Sequence, residues 1–416
     1  MLGRSAVLSR QEAQQRLRET FCFPVPPMEE IETPAALGRI LGRPVSSPED
    51  LPSFARSTMD GYAVRARDTF GASESMAAYL NVIGEIPMGT VPEISVGEMD
   101  AVRIATGGML PAGADAVVML EQTVSVDAGM VEVVRSVAPG ENVIRTGDDV
   151  RQGQEILRSG RRIRPQDIGL LCGLGVTKIF VYRRPAVSVI PTGNEIVPPD
   201  QTPHPGQVRD INSFHLAALL QQAGARPIRY GVIPDDEDRL EEAVHRAVAG
   251  SDLVILSGGS SVGTRDLTEK VLTSLGEGLL FHGVAVKPGK PTLCALVKGR
   301  PVFGLPGHPA AVVIGYDLFV KPILQSLSGE QPPDWTDRSG RTVIATLTRS
   351  VSSRPGREDY LRVALKREGE EVTARPILGK SGLISTLVAA AGTVVIPEEK
   401  AGLEKGESVI VRLFPS

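Results

Sequence analysis

Apolar residues recur in this chain with two different periods, and the changes between them divide it. The first pattern is helical. Ser9-Arg10-Gln11-Glu12 fits a capping box, and Leu17 and Phe21 follow at helical spacing. From about residue 51 to 137 the pattern changes to short β-like runs. Residues 79–83, 101–104 and 116–120 predict strands, with a turn at Pro111-Ala112-Gly113. A linking region over 145–181 is punctuated by Gly160, Pro165, Gly173 and Gly175. Within it, Pro165 predicts the first turn of a short helix.

From 184 to about 328 strands and helices alternate. Residues 186–190 predict a buried strand, and Asp210 to Ser213 the cap of a helix ending at Gly224. Residues 228–233 predict a second strand, Asp235 the cap of a helix reaching Ala249, and 253–256 a third strand. Such alternation predicts a mostly parallel sheet with helices on both faces. After about 333 the pattern turns β again, with strands expected over 342–347, 392–396 and 408–413. These predict a small barrel or sandwich.

Composition narrows the class. At 416 residues the chain exceeds one ordinary core. Its 42% hydrophobic and 23% charged residues suit a globular protein. No apolar run in the sequence reaches the ~20 residues that cross a bilayer. The start shows no secretory pattern. Cys22, Cys172 and Cys294 are scattered and read as packing residues, so a cytoplasmic setting is expected. A net charge of −4 gives no footprint for nucleic acid. No nucleophile elbow supports a serine hydrolase.

The chemistry gathers in three glycine-bearing loops. The most telling is Val286-Lys287-Pro288-Gly289-Lys290-Pro291-Thr292. Proline fixes φ and glycine opens positive φ, so this loop should be bent and stiff, with two ammonium groups on a fixed frame. That suits a phosphate or another oxyanion. Before it stands Ser257-Gly258-Gly259-Ser260-Ser261-Val262-Gly263, and after it Gly304-Leu305-Pro306-Gly307-His308-Pro309. In a parallel sheet these loops lie at the carboxyl edge, where ligands bind. Carboxylates accompany them at Asp266, at Glu195 and, further off, at Asp60. Carboxylates beside phosphates suit a hard cation such as Mg²⁺, although Asp266 also reads as a helix cap and Asp60 as a turn residue. His308 reads as a structural or exposed loop histidine.

Several of these motifs occur in a familiar order. They are Met59-Asp60-Gly61-Tyr62-Ala63, Pro111-Ala112-Gly113-Ala114-Asp115-Ala116, Pro191-Thr192-Gly193-Asn194-Glu195, the glycine-serine loop from Ser257, and Lys287-Pro288-Gly289-Lys290-Pro291. Over essentially its whole length the chain resembles the molybdopterin molybdenumtransferase family, to which the carboxyl-terminal part of gephyrin is related. The resemblance implies a homodimer of elongated, four-domain subunits. A helical and linking domain would comprise 1–50 and 146–182, with an inserted β domain at 51–145. A molybdopterin-binding-like α/β domain would follow at 183–330, and a β-barrel domain at 331–416.

It also implies a reaction. Molybdate would be inserted at the dithiolene of adenylylated molybdopterin with release of AMP, Mg²⁺ assisting. Asp60, Glu195, Asp266, Lys287 and Lys290 are then expected to act in catalysis. Thr106, Gly258, Gly259, Ser260, Ser261, Gly263, Pro306 and Pro309 would contact the pterin substrate. Asp149, Glu195 and Asp235 would hold the metal. The adenylyltransferase that makes the substrate is a candidate partner. Two departures stand out: Asn194, where the family often has aspartate, and His308-Pro309-Ala310-Ala311, where many members have an asparagine-proline-valine-serine run. The alternatives are the adenylyltransferase itself, similar over 257–266, and a non-catalytic scaffold of the same fold.

Overall fold

The computed structural model describes residues 7–258, 262–330 and 341–414. At its centre is a six-stranded sheet ordered Arg226–Arg229, Ala186–Thr192, Leu253–Gly258, Arg300–Leu305, Leu293–Val297 and Leu279–His282. The first four strands are parallel and the last two join antiparallel, as the alternating pattern implies. Side chains alternate between the two faces. Val187, Val189 and Ile255 enter one core with the helix Asn212–Gln222, while Ile190, Val254 and Leu256 enter another with the helix Glu237–Gly250. Burial on both faces explains why 186–192 reads as a mostly apolar run, interrupted only by the buried hydroxyls of Ser188 and Thr192.

Three local readings change. The strand expected over 228–233 is Arg226–Arg229. Its continuation is irregular around Gly231 and Pro234, although Tyr230 and Ile233 still donate to the Val189 and Pro191 carbonyls. Asp236, not Asp235, caps the following helix by accepting the Arg239 N–H at 3.0 Å. The run Pro309–Leu327 is, by length and composition, apolar enough to cross a membrane, contrary to expectation. Here 72% of it is buried, with Val312, Phe319 and Ile323 in the core of the central sheet.

The N-terminal helix Arg10–Thr20 carries the expected capping box. Ala13, Leu17 and Phe21 pack into the central core of their own chain, so this apolar face is not left for a partner. The β insertion is a sheet ordered Ala116–Met119, Gly61–Val64, Asp100–Ile104, Ala78–Ile86, Met130–Val133 and Thr123–Asp127. Gly61 allows its close pairing, because a Cβ there would lie 1.9 Å from the Val118 carbonyl oxygen. The carboxyl-terminal unit is a closed barrel. Glu358–Glu368 pairs with Glu371–Pro376 on one side and Gly392–Ile396 on the other, and Thr342–Leu347 and Ser408–Leu413 complete the ring.

The linking segments build a small core of their own from Ala36, Leu41, Leu157, Leu171 and Val181. Its helix Pro165–Gly173 starts at proline, as predicted. Asp167 closes the start of that helix. Burial acts to raise its carboxyl, but hydrogen bonds from the Arg164 and Arg161 guanidinium groups and the Arg164 N–H overcome this and hold it at about 2. Because the folded value lies below the ordinary 3.8, the stabilisation is complete above that pH and fades as pH falls towards about 2. Urea melts between pH 5 and acid should therefore show a stability loss in this window that is smaller in Asp167→Asn. Parallel curves for both proteins would refute the assignment.

Candidate functional site

The carboxyl edge of the central sheet depends on two glycines. Gly193 and Gly258 end neighbouring strands with φ of 144° and 143°. A Cβ on Gly258 would sit 2.0 Å from the Thr192 carbonyl oxygen, so only glycine lets the strand ends lie this close. Beyond Gly193, Asn194 and Asp235 clasp each other. Asn194 Oδ1 accepts the Asp235 N–H at 3.1 Å, and Asp235 Oδ2 accepts the Asn194 N–H at 3.3 Å. Asn194 thus shapes the acidic loop without adding charge to it. Burial pushes the Asp235 carboxyl above its usual range; the Asn194 N–H opposes this, and the nearby Glu195 charge reinforces it.

Two like charges of this kind form a hard-oxygen pair suited to a divalent cation. Among the described residues no group of three or more metal-binding side chains is present. Mg²⁺, however, characteristically takes one or two carboxylates and completes its shell with water and phosphate. The pair therefore fits it. Gly259, Ser260 and Ser261 lie outside the described residues. Gly263 and Asp266 fall in the helix Val262–Leu275, but the Asp266 side chain is likewise outside the description.

The lysine loop is as stiff as its sequence implies. Thr292 donates its N–H and its hydroxyl to the Gly289 carbonyl, at 3.0 and 2.7 Å, and the Val284 N–H donates to the Lys290 carbonyl at 2.8 Å. The Lys287-Pro288 bond is cis. Val286–Lys287 pairs with Glu358 and Asp359 of the barrel, so this loop lies where the two units meet. Lys287 Nζ bonds one oxygen of Asp359 at 3.0 Å, and Arg357 Nε bonds the other at 2.8 Å. Lys290 is exposed and has no ion pair among the described residues.

Two open clefts of about 620 Å³ each flank this seam. One is walled by Arg349, Arg362 and Lys380, the other by Lys290, Pro306 and Arg357. Asp359, on the wall of the first, is the acid set against these cations. A small cavity reaching Thr192 and Gly258 shares Pro291 and Pro306 with the second cleft, which ties the strand ends to the lysine loop. Pro309 is buried at the first position of its helix and lines neither cleft; His308, read as structural, lines both.

Asp60 and Thr106 come together in the β insertion. Asp60 accepts the Thr106 N–H at 2.7 Å and its hydroxyl at 3.0 Å, which holds the exposed carboxyl below its usual range. Asp149 follows the bend at Leu51, where its N–H donates to the Leu51 carbonyl. None of these three lines either cleft. The barrel contributes residues that sequence reasoning missed, chiefly Arg357, Asp359, Arg362 and Ser381. The signal for the first three was the cluster of charges in Arg357-Glu358-Asp359-Tyr360-Leu361-Arg362; Ser381 had none.

Comparison with known proteins agrees with this architecture. Residues 8–175 match the family model "MoeA N-terminal region (domain I and II)", 188–326 "Probable molybdopterin binding domain", and 345–414 "MoeA C-terminal region (domain IV)". A putative molybdopterin biosynthesis protein of Methanocaldococcus jannaschii is 36% identical, over 93% of this chain and 92% of its own. A molybdopterin molybdenumtransferase of Bacillus subtilis is 34% identical, over 91% and 88%. The crystal structure of the molybdopterin biosynthesis protein MoeA of Pyrococcus horikoshii superposes with a TM-score of 0.84 at 33% identity, covering 98% of this chain and all of that one. The central unit is thus an α/β domain of the probable molybdopterin-binding type, set within a larger multidomain protein. The chain belongs to the MoeA family of molybdopterin biosynthesis proteins.

Asp359 is almost fully buried and neutralises two cations at once. Asp359→Ala should lower stability by about 1–3 kcal/mol, the cost of unpairing buried charge-assisted bonds. Added sulfate should recover part of that loss by occupying the freed cations. Thermal melts with and without sulfate check this, and a variant that melts like the parent protein counts against it.

Proposed function

We propose that this chain is a molybdopterin molybdenumtransferase, with adenylylated molybdopterin and molybdate as substrates and AMP as the released product. The observation that carries the reading is the stiff, cationic seam at the sheet's carboxyl edge, with an acidic pair on two clasped loops of the same edge. Both substrates are anions. Lys290 and Arg357 face one cleft and Lys380 and Arg349 the other, which gives fixed positive charge on both sides of the Lys287 loop. The sheet edge supplies glycine-bordered strand ends that let a phosphate approach the backbone closely.

Glu195 and Asp235 are the residues that would hold Mg²⁺. When bound, the ion would neutralise charge on the phosphoanhydride as AMP leaves. Asn194 orients Asp235 for this, and Lys287, tethered by Asp359, supports the loop geometry while Lys290 stays available to the ligand. The adenylyltransferase alternative is not favoured, because the chain matches the transferase family along nearly its full length.

Purified full-length protein given adenylylated molybdopterin and Mg²⁺ should release AMP only when molybdate is added. Glu195→Gln and Lys290→Ala should each lower turnover about tenfold or more with melting unchanged, because each removes a charge that acts on the reacting anions. Pyrophosphate release from ATP and molybdopterin would assign the adenylyltransferase instead. Neither activity would leave the scaffold reading.

The family positions Asp60, Thr106 and Asp149 are also part of this proposal, although they lie away from the clefts of their own chain. A homodimer resolves this, with the β insertion of one subunit completing the site of its partner. Mixing Asp60→Asn with Lys290→Ala protein should then restore about a quarter of the activity, the statistical share of intact sites after random exchange between dimers. Light scattering should show a dimer. A monomer, or a mixture as inactive as its two parts, would remove this arrangement.

A further inference from the structure

The second cleft sets Lys290 against Arg357, and one short stretch of chain outside the cleft holds the backbone that carries each of them. Leu8 forms a parallel bridge with Val284. Its N–H donates to the Gly283 carbonyl at 3.2 Å, and its carbonyl accepts the Ala285 N–H at 2.7 Å. Val284, between these two residues, donates its N–H to the Lys290 carbonyl at 2.8 Å, which carries the restraint to Lys290. Two residues after Leu8, Arg10 takes Glu358 with two prongs, Nε at 2.8 Å and Nη2 at 3.1 Å. Glu358 is the chain neighbour of Arg357, and its N–H donates to the Ala285 carbonyl at 2.9 Å. Leu8, Ala285 and Glu358 thus form one hydrogen-bonded row across three segments. Arg10 Nη1 also donates to Gln14 Oε1 at 3.0 Å, and Gln14 Nε2 donates to the Leu318 carbonyl at 3.0 Å. Gln14 is almost fully buried. Leu318 lies in a wide turn, Tyr316–Val320, of the helical run that begins at Pro309. Such a turn interrupts the regular ladder of a helix, and the Gln14 amide meets one of its carbonyls.

We propose that residues 7–14 are a positioning strap, in which Leu8 and Arg10 fix the spacing of Lys290 and Arg357 across the second cleft and Gln14 anchors the strap to the core. Lys290 belongs to the central unit and Arg357 to the barrel. Without a tie to both, the width of the cleft would follow any movement of one unit against the other. The strap supplies that tie within three residues, Leu8 on the side of the central unit and Arg10 on the side of the barrel. Arg10 and Gln14 line neither cleft, so they act through the residues they hold and not on the ligand. Val7, next to Leu8, reaches the wall of the second cleft and brings the strap up to its edge. Cations on a fixed frame need no rearrangement as charge develops between them. The inference rests on the transferase reading for its effect on turnover, and on the contacts alone for the spacing.

The test uses the full chain. Amide hydrogen exchange of the free protein is followed over residues 283–292, and turnover as molybdate-dependent release of AMP. Arg10→Met removes both prongs and the Gln14 contact, and Gln14→Leu removes the anchor. In each, exchange over 283–292 should rise about tenfold, the size expected for loss of one charge-assisted bond. The central strand Leu253–Gly258 should keep the parent rate. kcat should fall about tenfold with KM moved by about twofold or less, because the cations remain and only their placement is lost. The double variant should lose little more turnover than either alone, because the two side chains act in one chain of contacts. Arg10→Lys keeps the charge and loses the fork, so it should fall between, and it carries the test where Arg10→Met does not fold. Equal acceleration in the central strand marks a merely structural role and overturns the strap. Unchanged exchange over 283–292 overturns it as well, and so does faster exchange with kcat and KM unchanged. A parent protein without molybdate-dependent release removes the transferase reading, and exchange alone then decides the strap.

Discussion

Two neighbouring acids on one barrel strand hold three parts of this chain together. Successive residues of a strand point to opposite sides. Glu358 therefore turns to the N-terminal helix, where it takes Arg10 in a two-pronged ion pair and also accepts the Tyr360 hydroxyl. Asp359 turns the other way and takes Lys287 and Arg357. The backbone between them pairs with Val286–Lys287, the strand that leaves the central unit. Helix, α/β unit and barrel thus meet at two residues, and both clefts open beside that point.

The same arrangement explains the electrostatics of the clefts. Their walls are cationic, yet the lysine closest to the seam is partly satisfied by a nearly buried carboxylate. A lysine left free would carry high rotamer entropy and a mobile charge. Tethered, it stiffens the loop and leaves Lys290 as the loop lysine with no ion pair among the described residues. The acidic pair stands on two other loops of the sheet edge, so the acidic and basic groups occupy distinct structural supports.

Much of this was legible in sequence where the signal is local. Ser9 with Glu12, Pro165 at a helix start, and the apolar run at 186–190 each act through neighbours a few residues away. The readings that moved were those with two close local solutions. Asp235 and Asp236 both suit a cap, and only the clasp with Asn194 decides between them. The strand Glu358–Glu368 was missed because it is buried on both sides, Tyr360 in the central core and Val363 in the barrel core, with charged residues between them that hide any alternation. Asp60 with Thr106, and His308 with Ser381, are separated by 46 and 73 residues, so their partnership belongs to the fold and to no local pattern. The serine loop and the Asp266 side chain fall outside the described residues.

The amide at Asn194 has a consequence for charge balance. Aspartate would add a third carboxylate where two facing loops bring Glu195 and Asp235 together, whereas a divalent ion, were one held there, would neutralise only two. The surplus charge would then repel any anion that approached the sheet edge. By clasping Asp235 with a neutral side chain, the chain separates the rigidity of the loop from its charge. The two loops can be held firmly, yet would present an electroneutral face if a divalent ion were held between their carboxylates.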